Sequence, residues 1–242
     1  MKLSIVCPAF NESAQIYSLL HSWTQFLRNK VSTFEIVVCN DGSRDHTGQE
    51  LNRAAKDFQE VRVVSFNQNQ GAGFAMSTAI RSSLGSIVVT TDSDGQFLIE
   101  DAFRFYQILE TRTDLVAVVG QRRKKLHAWS QAMGTRVAST LANLFFKSSL
   151  PDFNCALKAV RGFFIRTLPF ETKGLNYSTE LSFWLTAREA PLISVEVVQH
   201  NRVAGVSSSK FFRSAKHRFL YLTYLWIKRQ LHLAKIIQEF YR

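Results

Sequence analysis

Residues 86–96 read Ser-Ile-Val-Val-Thr-Thr-Asp-Ser-Asp-Gly-Gln. Ser86–Thr90 is a short, nearly continuous apolar run, as expected of a strand buried on both faces, and it runs straight into a polar turn holding two carboxylates. The same arrangement occurs three times upstream. Leu3–Cys7 leads into Pro8–Ser13, Glu35–Cys39 into Asn40–Thr47, and Val61–Phe66 into Asn67–Gly73. Between these units lie segments of helical periodicity: Ile16, Leu19, Leu20, Trp23 and Leu27 in the first, then Gly48–Phe58 and Phe74–Ser83. Strands alternating with helices of this length predict βαβ units and a mostly parallel, doubly wound α/β sheet. In such sheets the ligand site lies beyond the carboxyl ends of the strands. The polar, motif-like residues fall at those ends after all four strands.

Downstream the rhythm loosens. Ala102–Glu110 reads as a helix, Leu115–Gly120 as a strand, Ser178–Arg188 as a helix and Ile193–Val198 as a strand. A basic cluster, Arg122–Lys125, precedes a long amphipathic segment, Trp129–Phe146, whereas Asp152–Arg161 and Phe163–Leu168 are ambiguous. The 242 residues are 46% hydrophobic and 20% charged, with Gly and Pro together only 15, which excludes disordered and collagen-like chains. Three cysteines do not make a disulfide framework, and Cys7 and Cys39 inside apolar runs read as buried thiols. With Met1-Lys2 leading directly into a strand, a cytoplasmic setting is expected.

The net charge is +11, and it is concentrated. Residues 210–242 hold eight Lys or Arg against Glu239 alone, so +7 of the excess lies there. We therefore divide the chain into a main domain, residues 1–209, and a basic helical tail, residues 210–242. No run in the tail approaches the roughly 20 apolar residues of a membrane span. Phe211, Phe212, Phe219, Tyr221, Tyr224 and Trp226 beside lysines and arginines suit a helix lying in a membrane interface, or a core-packing helix with a solvated basic face. A basic nucleic-acid-binding module is disfavoured, because the main domain carries only +4 and its motif ends are acidic.

Asp92 and Asp94, two residues apart after a buried strand, are expensive to place together unless something positive sits between them. A divalent cation holding a diphosphate does this, and oxygen ligands suit Mg²⁺ or Mn²⁺, with Gln96 able to add an amide oxygen. A plain turn rich in Asp and Ser accounts for the residue types but not for their position. Asp41 reads either as an acceptor for a base or ribose or as part of a helix-capping turn, and Asn11 and Glu12 invite the same two readings. Gly42 permits close backbone approach, and Gly71-Ala72-Gly73 either admits a phosphate or forms a tight turn. The Gly-rich turn of a dinucleotide fold would follow the first strand and is missing there, which counts against a dehydrogenase.

Four stretches, Pro8–Glu12, Asn40–Thr47, Asn69–Ala75 and Asp92–Gln96, together resemble the ordered motif series of family 2 glycosyltransferases, whose fold is the nucleotide-sugar-binding type called GT-A. Gly120–Arg122, Asp152–Arg161, Glu180 and Arg202–Ser208 extend the resemblance to the dolichol-phosphate mannose synthase branch, over roughly residues 1–210. The resemblance implies an inverting transfer of a mannose- or glucose-type sugar from GDP or UDP to a polyprenyl phosphate at the cytoplasmic face of a membrane. It implies that Pro8, Ala9, Asn11, Glu12, Asp41, Gly42, Gly71, Ala75, Asp92 and Ser93 bind the nucleotide sugar, and that Asp92, Asp94 and Gln96 hold Mg²⁺ or Mn²⁺. Arg122, Arg136, Ser139, Arg202 and Ser207 would face the acceptor phosphate, with Asp94, Arg122 and Arg202 catalytic. Transfer to a soluble glycan or protein, and non-catalytic binding of a nucleotide sugar, are the competing readings. The sequence departs from the branch where Cys155-Ala156-Leu157-Lys158 stands for the usual Ser-Gly-Phe-Arg, where Phe97-Leu98 follows Gln96, and where Val206 replaces a common Glu. Lysine at 158 keeps the charge but loses the planar fork.

Overall fold

The computed structural model describes residues 1–123, 140, 150–174, 177–201, 220–221, 223–228 and 230. Each of the four upstream apolar runs is a strand: β1 (Leu3–Ala9), β2 (Phe34–Asn40), β3 (Val61–Ser65) and β4 (Ile87–Thr90). Between them lie α1 (Ile16–Arg28), α2 (Thr47–Asp57) and α3 (Ala72–Ser82). In α1, Ile16, Leu20, Trp23 and Leu27 are buried, the three-to-four-residue spacing that turns one face of a helix to a sheet. Every residue of β2 is buried, as its unbroken apolar reading requires.

The second half supplies α4 (Ile99–Thr111), β5 (Ala117–Arg122), β6 (Lys158–Arg161), α5 (Gly162–Ile165), α6 (Tyr177–Ala187) and β7 (Leu192–Val197). The ambiguous 152–161 stretch thus ends in a strand, and 163–168 begins inside a single helical turn. The seven strands of the described residues join one sheet in the order β3-β2-β1-β4-β6-β5-β7. β6 runs antiparallel to both β4 and β5, and the other pairs are parallel. The Trp129–Phe146 segment lies outside the described residues except for Thr140.

Chain order reverses between β1 and β4, which pair side by side with Val6 opposite Thr90, while Ala9 lies opposite Asn40 and Asn40 opposite Ser65. The carboxyl ends of β1 to β4 therefore share one edge at a topological switch point, where a ligand crevice is expected.

Residues 220–221, 223–228 and 230 are helical and dock on this body. Leu225 is fully buried, Tyr221 packs against the core, and both Tyr224 Oη (2.7 Å) and Lys228 Nζ donate to the Glu171 carboxylate. Leu220, Trp226 and Ile227 stay exposed. In these described residues Tyr221 and Leu225 pack on the core, as the core-packing reading of the tail expects there.

Cys7, Cys39 and Cys155 are buried and unbonded. Burial pushes Cys39 and Cys155 up to about 12 and Cys7 higher still. The folded protein therefore keeps thiol protons that the unfolded chain loses near its ordinary value of 9.0. Stability from this source is fully present below pH 9 and is lost as pH rises toward 12, at about 1.4 kcal/mol per pH unit for each thiol. Urea midpoints between pH 9 and 10.5 are expected to fall with pH, the three thiols outweighing the opposite trend from the buried Lys158 amine, whose pKa is lowered to about 8, and a Cys39→Ala variant to fall less steeply. A flat wild-type profile would contradict this.

Candidate active site

The turns after β1 and β2 lock together first. Asn11 adopts a left-handed backbone (φ 57°), and its Oδ1 accepts the Arg44 amide at 2.9 Å while its own N–H donates to Ser43 Oγ at 3.1 Å. The Glu12 amide donates to Thr47 Oγ1 (2.7 Å), and the Ser13 amide to Asp45 Oδ2 (3.2 Å). Asp45 Oδ1 also accepts the Thr47 amide at the start of α2. Much of the Asn40–Thr47 motif is therefore scaffold, the capping reading of those residues.

Asp41 ties this pair to the turn after β3. Its carboxylate accepts the Gln70 amide at 2.7 Å, the Gly71 amide at 3.0 Å and Asn69 Nδ2 at 2.9 Å. Burial raises its pKa and the two amides oppose that rise. Gly42 (φ 64°) lies against the Gln68–Asn69 backbone, where a Cβ would fall 2.4 Å from Gln68 C. Gly71 (φ 98°) is tighter still, with an added Cβ only 1.9 Å from Lys173 O. Glycine at 71 lets residues 171–174 form a wall against α3, and the buried Glu180 holds that wall by accepting the Glu171 and Thr172 amides at 2.9 and 3.0 Å.

The turn after β4 completes the site. Ser93 Oγ donates to Pro8 O (2.7 Å) across the switch point, and Asp94 Oδ1 accepts the Gln96 amide (3.1 Å). Asp94 is 3% exposed. Asp92 Oδ1 accepts the hydroxyl of Tyr177, the first residue of α6. Burial, then Asp92, raises the Tyr177 hydroxyl well above its usual range, so it is a proton donor at neutral pH.

These turns enclose a cleft of about 420 Å³. Pro8, Ala9, Glu12, Asp41, Gly71, Asp92, Ser93 and Asp94, all expected from sequence, line it together. Asn11 and Gly42 shape the loops behind it, and Ala75 is buried in α3. Gln96 lies outside the lining: its Oε1 accepts Gln199 Nε2 (3.0 Å), and its Nε2 donates to His200 O (3.2 Å). Arg122 ends β5 with its guanidinium engaged by Asp152, Nε to Oδ2 at 2.6 Å and Nη2 to Oδ1 at 2.9 Å. Burial pulls the Arg122 pKa down, and Asp152 more than restores it. Arg136, Ser139, Arg202 and Ser207 lie outside the described residues. Phe10, Asn69, Ala72, Gly174 and Tyr177 also line the cleft. Phe10, Asn69 and Ala72 stand inside the quoted motifs, whereas Gly174 and Tyr177 come from a distant stretch with no signal of its own.

Beneath the site lies Lys158, fully buried in β6, with Nζ donating to Cys155 O and, at 3.0 Å, to Ser178 O. Burial lowers its pKa to about 8, against the opposing pull of Cys155 and Asp152.

The donor set fits a hard divalent cation. Among the described residues no three His, Cys, Asp or Glu side chains cluster as a self-sufficient metal cage. Two carboxylates beside an open cleft match Mg²⁺-type sites, which use one or two protein carboxylates and take remaining ligands from substrate phosphates and water.

The family described as Glycosyl transferase family 2 matches residues 4–167. Among similar proteins is the undecaprenyl-phosphate 4-deoxy-4-formamido-L-arabinose transferase of Serratia proteamaculans, 27% identical over 168 residues, which cover 69% of this chain and 51% of that protein. The Proteus mirabilis protein of the same name is 24% identical over 213 residues, 88% of this chain and 64% of the other. The chain thus spans about half to two thirds of these curated relatives. Among solved structures, glucosyl-3-phosphoglycerate synthase from Mycobacterium tuberculosis with Mn²⁺, UDP and phosphoglyceric acid superposes with a TM-score of 0.73 at 19% identity, covering 94% of this chain and 78% of that one. At that identity the likeness establishes the fold.

Proposed function

The chain belongs to glycosyl transferase family 2, with a GT-A-like α/β fold, and from that premise we propose that it transfers a sugar from a nucleoside diphosphate to a polyprenyl phosphate. The observation that carries this reading is the cleft at the switch point, where Asp92 and Asp94 stand beside Asp41 and the Pro8–Ala9 turn. The base and ribose lie along Pro8, Ala9 and the Asp41–Gly71 junction, and the diphosphate lies toward Asp92 and Asp94. Asp92 and Asp94 would hold Mg²⁺ or Mn²⁺, which would neutralise the charge that builds on the departing diphosphate. Gln96, committed to Gln199 and His200, supports the 94–96 turn from behind.

The acceptor side follows from the chemistry of the nucleophile. A lipid phosphate is ionised near neutral pH and needs docking more than deprotonation, a task suited to guanidinium groups. Arg122, its plane fixed by the bidentate bond to Asp152, takes part in that docking with Arg136, Ser139, Arg202 and Ser207. Attack opposite the leaving diphosphate inverts the anomeric carbon. The names of the relatives support a polyprenyl phosphate acceptor. No helix among the described residues is long and apolar enough to cross a membrane. The exposed Leu220 and Ile227, within the strongly basic tail, suit a segment lying on anionic lipid.

A transfer assay tests the reading. Protein, Mn²⁺ or Mg²⁺, undecaprenyl or dolichyl phosphate in anionic vesicles and a panel of labelled GDP- and UDP-sugars are expected to give label in the organic phase for one donor, less so as salt rises. Label moving instead to a water-soluble acceptor would replace the lipid reading. Donor binding without transfer to any acceptor would favour a non-catalytic role.

A further inference from the structure

We infer that Tyr177 is a positioning residue for the donor site, acting through its hydrogen bond to Asp92, an inference that rests on the nucleoside-diphosphate reading of the cleft. Tyr177 is 4% exposed, yet it is among the residues lining the cleft, and its hydroxyl donates to Asp92 Oδ1. A carboxylate on a turn has rotational freedom about its side-chain bonds, and a cation site needs its oxygens held in one arrangement. A donor fixed on Oδ1 helps hold Asp92 in one such arrangement.

The tyrosine can do this because its own element is anchored. Along the first turns of α6, the Ser178 carbonyl accepts Lys158 Nζ at 3.0 Å. Ser178 Oγ donates to Asn154 O at 3.2 Å, Thr179 Oγ1 to Asn154 Oδ1 at 2.5 Å, and Ser182 Oγ to Phe153 O at 2.8 Å. Glu180, one turn on, grips the 171–172 backbone. The helix start is thus tied on one side to the 153–158 segment and on the other to the cleft wall. A phenol on so fixed a base reaches 85 residues back in sequence to a single carboxylate oxygen. A tyrosine needed only to fill the core would be served equally by phenylalanine.

Calorimetry with UDP and with GDP, each in Mn²⁺ and in EDTA, separates the possibilities. Tyr177→Phe should weaken nucleotide binding about tenfold in Mn²⁺ and leave binding in EDTA unchanged, since the lost hydrogen bond acts on the carboxylate and not on base or ribose. Equal weakening in both media would show a general packing defect and overturn the inference, as would unchanged binding in both. Asp92→Asn provides a second reading: it should show the same metal-selective loss, and the double variant should lose little beyond the larger single effect. Additive losses would overturn the coupling. Wild-type protein that binds neither nucleotide would overturn the nucleoside-diphosphate reading, and this inference with it.

Discussion

Replacing Asp94 with alanine is expected to lower sugar transfer by about a thousandfold or more while leaving the protein folded. The expectation combines geometry with charge. Asp94 is nearly inaccessible except toward the cleft, and its Oδ1 already accepts the Gln96 amide. Its position is therefore set before any ligand arrives. On the proposed reading Asp94 holds the cation that neutralises a leaving diphosphate, and its removal would withdraw a stabilisation felt most in the transition state, where losses of a hundredfold to a thousandfold per group are ordinary and a metal ligand lies at the upper end. Asp94→Asn separates the two components. It preserves an oxygen for the Gln96 amide but removes the charge, so it should match alanine in lost transfer and the wild type in melting temperature. Transfer within tenfold of wild type for either variant, at saturating Mn²⁺, would remove Asp94 from the chemistry.

The second large effect is on stability. Asp152→Ala should destabilise the fold by about 3–5 kcal/mol, because it removes both short bonds of a guanidinium that is 87% covered and leaves it, among the described residues, only the 3.5 Å contact of Nη1 with Gln199 Oε1. The Asp152 side chain is 2% exposed and also accepts the Asn154 amide at 3.2 Å, so the loop before β6 loses its brace as well. For a chain of this length such a loss lowers the melting temperature by roughly 10 °C or more. Much of the cost belongs to the orphaned charge. Arg122→Met combined with Asp152→Leu should therefore be clearly more stable than Asp152→Ala alone, although it lacks the ion pair entirely. A loss below about 1 kcal/mol for Asp152→Ala would mean that the pair behaves as a surface contact.

The legible part of the structure is the part built from buried parallel strands. Ile36–Cys39 and Ile87–Val89 are unbroken apolar runs, and a strand covered on both faces has no other way to read. Because parallel strands align their carboxyl ends, recognising the strands was nearly enough to assemble the site: eight expected residues meet in one cleft although they come from turns up to 86 residues apart. β6 escaped the same logic. It has four residues, a cationic side chain at each end, and Lys158 wholly buried, which no hydropathy pattern anticipates. The sequence between β5 and β6 carries no strand rhythm from which its antiparallel direction could be read.

Asp41 shows a subtler limit. Its place beside the cleft was legible, but its three bonds to the Asn69–Gly71 turn were not, because they depend on how two loops meet. Tyr177 shows the complementary limit. A tyrosine at the start of a helix looks like packing until the sheet brings Asp92 beneath it.

The docking of the C-terminal helical segment bears on how the chain is made. Leu225 is wholly enclosed, and Glu171, at the edge of the cleft wall, is clasped by Tyr224 and Lys228. A nascent chain that has already emitted β1 to β7 still lacks the segment that carries Leu225, and the apolar surface that encloses this side chain stays uncovered by it until that segment arrives. Premature termination anywhere before residue 220 would leave this surface permanently bare, a feature that chaperones and proteases recognise. Shortening the chain to discard residues 220–242 would accordingly remove the cover that Leu225 gives this surface.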